Sequence, residues 1–536
     1  MNTNIRIRYT KTLVAAFSFL FPLSSLLSFT SCADLEQDPV SSISTDTFYS
    51  TEAELTVAVN GIYEVFTEAG FYGIFNNQSV YFGDLQTDYV KAGANTNSAH
   101  IREISNFAIQ PTNLFVIDAW NEHYRGINLA NQLIDKLDAS NNFSEEVKSR
   151  FTNEAKFLRA VYYFNLVRYF GGVPVVLHSS ESEGRSRNTL DEVYQQIVSD
   201  LKDAEHIPAS ITGNDGRATS GAATALLSKV YLTWAQTSTT LDEATKKSYI
   251  QSASDYASRV INSGKYALLD KYIDNWSVDK KNGPEHIFSI QHDRTVNANV
   301  SGHCTFAMLW SDSEPVLITT STKYWEEADP RDQRRDGSWA KRLYNPNTGE
   351  DFVFKVPLFR KYIDSLNYAA YGNSAGQSTN TTYLRYAEVL LIKAEAENEL
   401  NGPTQAAYEA LNAIRRRAYW SPYAQAELTP SDGTPVELSG LSQLEFRKAV
   451  RDEYWKEFII EGHRWLDLVR WHTLVKTVKE SWLAHGGSAD DLKYKNISKK
   501  NYLLPIPSDQ ITLNPNLVQN WGYNGETTGD PYPEEN

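Results

Sequence analysis

The chain has 536 residues, with 66 acidic side chains against 51 Lys and Arg and a formal net charge of -15 at pH 7. That balance argues against a nucleic-acid backbone as partner, which wants a basic face, and weakly favours neutral or cationic ligands. The 12 Trp and 31 Tyr supply rings that can stack on sugar faces and, more commonly, build helix cores and interfaces.

At the N-terminus Arg6, Arg8 and Lys11 precede an apolar stretch from Leu13 to Phe29, interrupted by Pro22. A basic region, an apolar region and then small residues make a secretory signal. The apolar stretch, about 17 residues, is shorter than the roughly 20 that a membrane span needs. Cys32 follows small Ser31, with bulkier Phe29 three positions before it, and resembles the lipidation site of a bacterial lipoprotein. Acyl chains would then anchor the chain at roughly 0.8 kcal/mol per buried CH₂. The other reading pairs Cys32 with Cys304, the second of two cysteines, in an oxidising compartment. Asp34, Glu36 and Asp38 resemble the surface-export signal of Bacteroidetes lipoproteins and equally suit a solvated linker. The expected organisation is a signal peptide at 1–31, then a lipidated cysteine and acidic linker at 32–48. Removing the leader takes away three basic residues and leaves a net charge of -18.

The body reads as mostly α. Trp120, Tyr124, Ile127, Asn131 and Ile134 share one helix face. Thr189 and Glu192 form a capping-box pattern, which predicts a helix from Thr189 to about His206. Further helices are predicted at Glu154–Val176, stopped by Gly171-Gly172 and Pro174, at Ser220–Gln236, and at Tyr249–Tyr266 with Gly264 as breaker. Tyr383–Gly402 and Ala406–Ala418 make a pair around a turn at Asn401-Gly402-Pro403, similar to a tetratricopeptide unit. Two long stretches, Phe71–Leu114 and Tyr272–Tyr383, exceed simple connections and suggest functional or structured insertions. Glu285–His292 carries a weak strand signal.

Three segments then carry a resemblance: "YLRYAEVLLIKAEA", "FRKAVRDEYWKEFIIEGHRWLDLVRW" (Phe446–Trp471) and "LLPIPSDQITLNPNLVQNWGY" (Leu503–Tyr523). With "EAKFLRAVYYFNLVRYFGGVPVV" and "VINSGKYALL" they resemble the SusD/RagB family of outer-membrane nutrient-binding lipoproteins, over essentially Cys32 to Tyr523. The resemblance implies four tetratricopeptide-like helix pairs in a right-handed superhelix, with long irregular insertions and a few short strands. It implies a single body at 49–523, with an N-terminal region to about 270, a C-terminal region from about 271, and a tail at 524–536. It further implies a surface lipoprotein that captures an oligo- or polysaccharide and delivers it to a SusC-like TonB-dependent transporter in the outer membrane. The alternative is a RagB-like peptide-binding scaffold. Neither cofactor nor turnover is expected.

Read by themselves, Arg451, Glu453, Glu457, Glu461 and Arg464 sit at helical spacing and suit either i,i+4 pairs worth about 0.2–0.5 kcal/mol each on an exposed helix or buried pairing with another helix that fixes packing, a structural role in both cases. No HExxH or P-loop pattern occurs, and acid-rich Asp312–Glu314 lacks a calcium-loop pattern. Sugar binding calls for flat rings and planar polar groups, which the two insertions offer. The candidate ligand residues are Tyr81, Asp88, Tyr89 and Arg102 in the first and Trp276, Phe306 and Trp310 in the second. Trp234, Trp455 and Trp465 are expected in the core, and Trp325, beside the stretch Ala328–Gly337 whose aspartates and arginines look like a salt-linked turn, is left out of the ligand set.

Overall fold

Short polar side chains cap most of the long helices in the computed structural model, which describes residues 48–67, 79–94, 96–181, 184–210, 216–293, 317–319, 321–345, 349–362, 378–421, 423–525 and 528–533. Thr51 opens α1 (Glu52–Glu64) in a capping box with Glu54. After a π turn at Tyr81–Leu85 come β1 (Val90–Ala92) and α2 (Ala99–Ser105). Asn113 caps α3 (Leu114–Ala139) and Ser144 caps α4 (Glu145–Phe170), which ends at Gly171 with φ +75°. The predicted capping box forms: Thr189 and Glu192 exchange hydrogen bonds at the start of α5 (Leu190–Ala204). Such a cap is worth about 1 kcal/mol. Thr219 and Asp242 then cap α6 (Ser220–Thr237) and α7 (Glu243–Asn262).

These helices pack on their chain neighbours in order, α3 on α4, α4 on α5, α5 on α6 and α6 on α7. Gly126 brings α3 close to α4, since a Cβ there would lie 2.4 Å from the Tyr162 ring. Along the α4 spine Phe157, Leu158, Val161, Phe164 and Leu166 are fully buried, each contributing about 1.5–3 kcal/mol of transfer free energy.

The second half interleaves short ladders with helices. β2 (His286–Ile290) and β3 (Leu317–Thr319) precede α8 (Lys323–Glu327) and α9 (Gln333–Ser338). β4 (Trp339–Asn345), β5 (Glu350–Phe359) and β6 (Thr381–Arg385) follow. Among the described residues the pairings are antiparallel: β1 with β3, β2 with β6, β4 with β5, and the short Trp420–Ser421 with Ala426–Glu427. The helix predicted from Tyr383 therefore begins three residues later, because Thr381–Arg385 serves first as the ladder partner of β2. α10 (Tyr386–Asn401) continues directly from that strand and packs on α7. Gly402, φ +77°, turns the chain into α11 (Gln405–Tyr419), and this pair packs together as predicted.

Ser442 caps α12 (Gln443–Glu457), and α13 (Arg464–Arg470), α14 (Leu474–Ala484), α15 (Leu492–Asn496) and α16 (Ser508–Leu513) complete the chain. The closing segment lies along the body: the Leu504 amide donates to the Tyr169 carbonyl at 2.7 Å, and Asn520 donates to the Phe170 and Leu504 carbonyls. Among the described residues no helix is long and apolar enough to cross a membrane.

Candidate functional site

The segment Gly83–Val90 docks on the turn that follows α12. Gly83 approaches Gly462 so closely that a Cβ would sit 2.1 Å from the Gly462 carbonyl oxygen. Asp84 accepts hydrogen bonds from the Tyr89 hydroxyl and the Gly462 amide, each at 2.6 Å. The Tyr89 oxygen accepts from the Ile460 amide at 2.7 Å. Burial pushes the Asp84 carboxyl up to about 7, opposed by those two donors. Four residues on, Asp88 takes a two-pronged contact from Arg464, 3.1 Å at both oxygens.

Behind this junction lies a buried ion network. Glu457 meets Arg385 at 2.6 Å, Arg334 at 3.3 Å and also Arg417. Glu461 accepts two bonds from Arg385, both 2.9 Å, and one from Lys361 at 2.7 Å. Glu285 joins Arg385 and Arg417, and Glu453 joins Arg334 and Arg415. Of the two pairings open to this helix, i,i+4 along its face or buried pairing with other elements, the buried one forms. These carboxylates face inward and bind cations from β6, α9 and α11, while Arg464 pairs with Asp88. The structural role stands; its partners lie in other elements. The surrounding guanidiniums hold Glu457 well below the usual carboxylate range against the opposing effect of burial.

Two of the clefts among the described residues adjoin this junction. The first, of about 530 Å³, is bounded by Lys91–Ala94, by Arg102 and Asn106 at α2, by Trp482 and Gly486-Gly487 at the end of α14, and by Lys493. Lys493 ties the walls together, donating to the carbonyls of Leu85, Val90 and Ser105 at 2.9, 3.0 and 3.0 Å. Burial pulls its ammonium down to about 7. Gly487 packs against the Trp482 indole nitrogen, which a Cβ would meet at 2.1 Å. That nitrogen donates to Asp491 at 3.0 Å.

The second cleft, of about 520 Å³, shares His485 with the first and is walled by Tyr324, Trp339 and Trp455. Tyr324 stacks on His485 at 3.8 Å and 12°, and its hydroxyl meets Ser481 at 2.7 Å. The buried indole nitrogens of Trp339 and Trp455 have no hydrogen-bond partner among the described residues. Glu326, Glu327, Asp329 and Asp452 also line this cleft. Among the described residues no group of three or more His, Cys, Asp or Glu side chains is placed to hold a metal ion.

Of the candidate ligand residues, Arg102 lines the first cleft. Three aromatic candidates are corrected. Tyr81, Tyr89 and Trp276 are 1%, 0% and 3% exposed, so their faces are covered by protein. Tyr81 meets Phe115 edge-on, Tyr89 closes the junction to Ile460, and Trp276 packs between Tyr272 and Tyr362 beneath the Lys361 ammonium. Asp88 lines the second cleft, yet its carboxylate is engaged by Arg464. Phe306, Trp310 and Cys32 lie outside the described residues. Trp234 and Trp465 are buried as expected. Trp455 packs against the core from its helix as expected, touching Tyr89 and Trp339, and also lines the second cleft. Trp325 carries Arg335 over its ring at 4.7 Å. Lys91 and Trp482 were missed; Lys91 stands two residues from candidate Tyr89, and Trp482 had no distinguishing signal.

The fold is shared with known proteins, which define its class. Residues 229–523 match the model of the SusD family, and residues 35–232 match a second model described as starch-binding associating with outer membrane. The chain belongs to the SusD family. It is 28% identical to SusD-like protein P2 of Formosa agariphila over 92% of this chain and 97% of that one. A crystal structure of a SusD homolog from Bacteroides thetaiotaomicron superposes with a TM-score of 0.74 at 26% identity, covering 88% and 97% of the two chains. A laminarin-binding SusD-like protein gives 0.67 at 26% identity, covering 89% and 100%.

Proposed function

We propose that this chain is a cell-surface glycan-binding lipoprotein that captures an oligo- or polysaccharide and delivers it to a SusC-like TonB-dependent transporter in the outer membrane, without chemical turnover. The observation that carries the reading is the pair of clefts meeting at His485 in a chain of the SusD family. Concave sites with a few convergent polar groups and aromatic walls suit sugar rings, whose faces are apolar and whose edges are hydroxyls. Support comes from the laminarin-binding relative and from the outer-membrane association in the matched family description. Arg102 contributes from α2. β3, which belongs to the second insertion, pairs beside Lys91. Residues 1–31 act as the signal and Cys32 as the lipid attachment.

Affinity electrophoresis of the full chain against a panel of neutral and anionic polysaccharides, followed by calorimetry and product analysis, tests the reading. Retardation by a polysaccharide without cleavage is the expected result. Binding to peptides with no glycan retained would replace it with the RagB-like scaffold, and cleaved product would overturn the absence of turnover.

A further inference from the structure

We infer that the cleft between β1, α2 and α14 takes an anionic saccharide, whose carboxylate or sulfate is held by Lys91 and Arg102; the inference rests on the glycan-capture reading above. In a chain of net charge -15, this cleft is lined by Lys91, Arg102 and Lys493 against a single carboxylate, Asp491. That carboxylate is already engaged, accepting from the Trp482 indole at 3.0 Å and the Ser488 amide at 2.7 Å. Arg102 is exposed and donates to the Thr96 carbonyl. It makes no ion pair, and Lys91, half-buried, makes neither ion pair nor side-chain hydrogen bond among the described residues. Nearby acids are committed elsewhere: Glu103 accepts from Asn113 at 2.8 Å, and Asp490 pairs with Lys495 at 3.0 Å.

Lys493 contributes less. Its ammonium faces three carbonyls and works as a strut, so the recognition falls to the two cations whose donors remain available. Arg is suited to planar, two-pronged contact with a carboxylate or sulfate, and Lys to a point contact. Beyond His485 the sign reverses. Seven acids line the second cleft against four cations, Arg334, Arg335, Lys456 and Arg464, and Arg334 and Arg464 are already paired with Asp332 and Asp88, so an anionic substituent is disfavoured there. Of these two clefts, the first is the one that favours the acidic unit of a charged glycan.

The test uses matched pairs that differ in charge: polygalacturonate against its fully methyl-esterified form, and dextran sulfate against dextran. Affinity electrophoresis and calorimetry on the full chain should show retention by at least one charged member and not by its neutral counterpart, weakening as salt is raised. Lys91→Gln and Arg102→Gln should each lower affinity about tenfold, the loss expected for one charge-assisted hydrogen bond. Lys448→Gln, on an exposed side chain outside this cleft, should leave affinity unchanged and controls for diffuse attraction to polyanions. Neutral members retained as well as the charged ones would overturn the anionic assignment and leave glycan capture standing. Charged members retained equally by the Lys91 and Arg102 variants, or lost equally on Lys448→Gln, would also overturn it. Retention of no polysaccharide would remove both readings.

Discussion

Gly83 and Gly462, far apart in sequence, meet backbone to backbone: a Cβ on Gly83 would lie 2.1, 2.3 and 2.5 Å from the carbonyl oxygen, carbonyl carbon and Cα of Gly462. Nothing flexible lies between them to give way. Gly83→Ala should therefore force the first insertion off the α12–α13 turn. Overpacking of this kind typically costs about 1–3 kcal/mol and occasionally more, and backbone on backbone belongs at the upper end. Chemical denaturation should show a lower midpoint. Gly61→Ala, where a Cβ meets nothing within 4 Å, should not destabilise; equal loss in both variants would sink the close-approach explanation.

The same junction predicts a pH dependence. Burial raises the Asp84 carboxyl from 3.8 to about 7. A carboxyl with a raised folded value binds its proton more tightly in the folded state. Its contribution is fully present below about 4 and is lost as pH rises to about 7. Asp84→Asn should remove that part of the slope. Thermal melts of both proteins between pH 4 and 8 should show the difference between them changing over this window and flat above it. A constant difference throughout would mean that Asp84 does not titrate there.

Glu457 works in the opposite direction. Arg417, Arg385 and Arg334 depress its folded value below 4.5, so its stabilisation is present above about 4.5 and is lost as pH falls. Glu457→Gln leaves Arg385 and Arg417 short of a buried counter-charge and should cost about 3–5 kcal/mol at pH 7. The gap to the parent protein should narrow below pH 4.5. Urea titrations at pH 7 and pH 4 measure both effects.

How much of this was legible follows from the range of the interactions. The Thr189 and Glu192 cap is local, three residues apart, and could be read directly; so could the turn at Gly402 between α10 and α11. Glu453, Glu457 and Glu461 were recognisable as a spaced set, but spacing says which residues share a face and nothing about what that face meets. Their partners Arg334, Arg385 and Arg417 come from three other elements. Tyr81, Tyr89 and Trp276 had the right chemistry for a ligand platform. Aromatic rings suit cores equally well, and only the packing of Phe115, Ile460 and Tyr362 around them shows which use was taken. Arg102, chosen as a planar polar group in the first insertion, lines a cleft.

Lys493 offers the last test, because its role is separable from ligand contact. Its ammonium satisfies three buried carbonyls, Leu85, Val90 and Ser105, that belong to the π turn, β1 and α2. Lys493→Met keeps the length of the side chain and removes all three donors. Each unsatisfied carbonyl costs about 1–3 kcal/mol, partly offset by no longer burying an ammonium that already sits near 7. The expected outcome is local loosening ahead of global unfolding. Hydrogen exchange should show the amides of residues 85–105 losing protection while those of α4 keep theirs. Glycan affinity should fall through misplacement of Lys91 and Arg102, and lowering the temperature should restore part of it. If α4 loses protection to the same degree, Lys493 supports the whole fold and not the cleft alone.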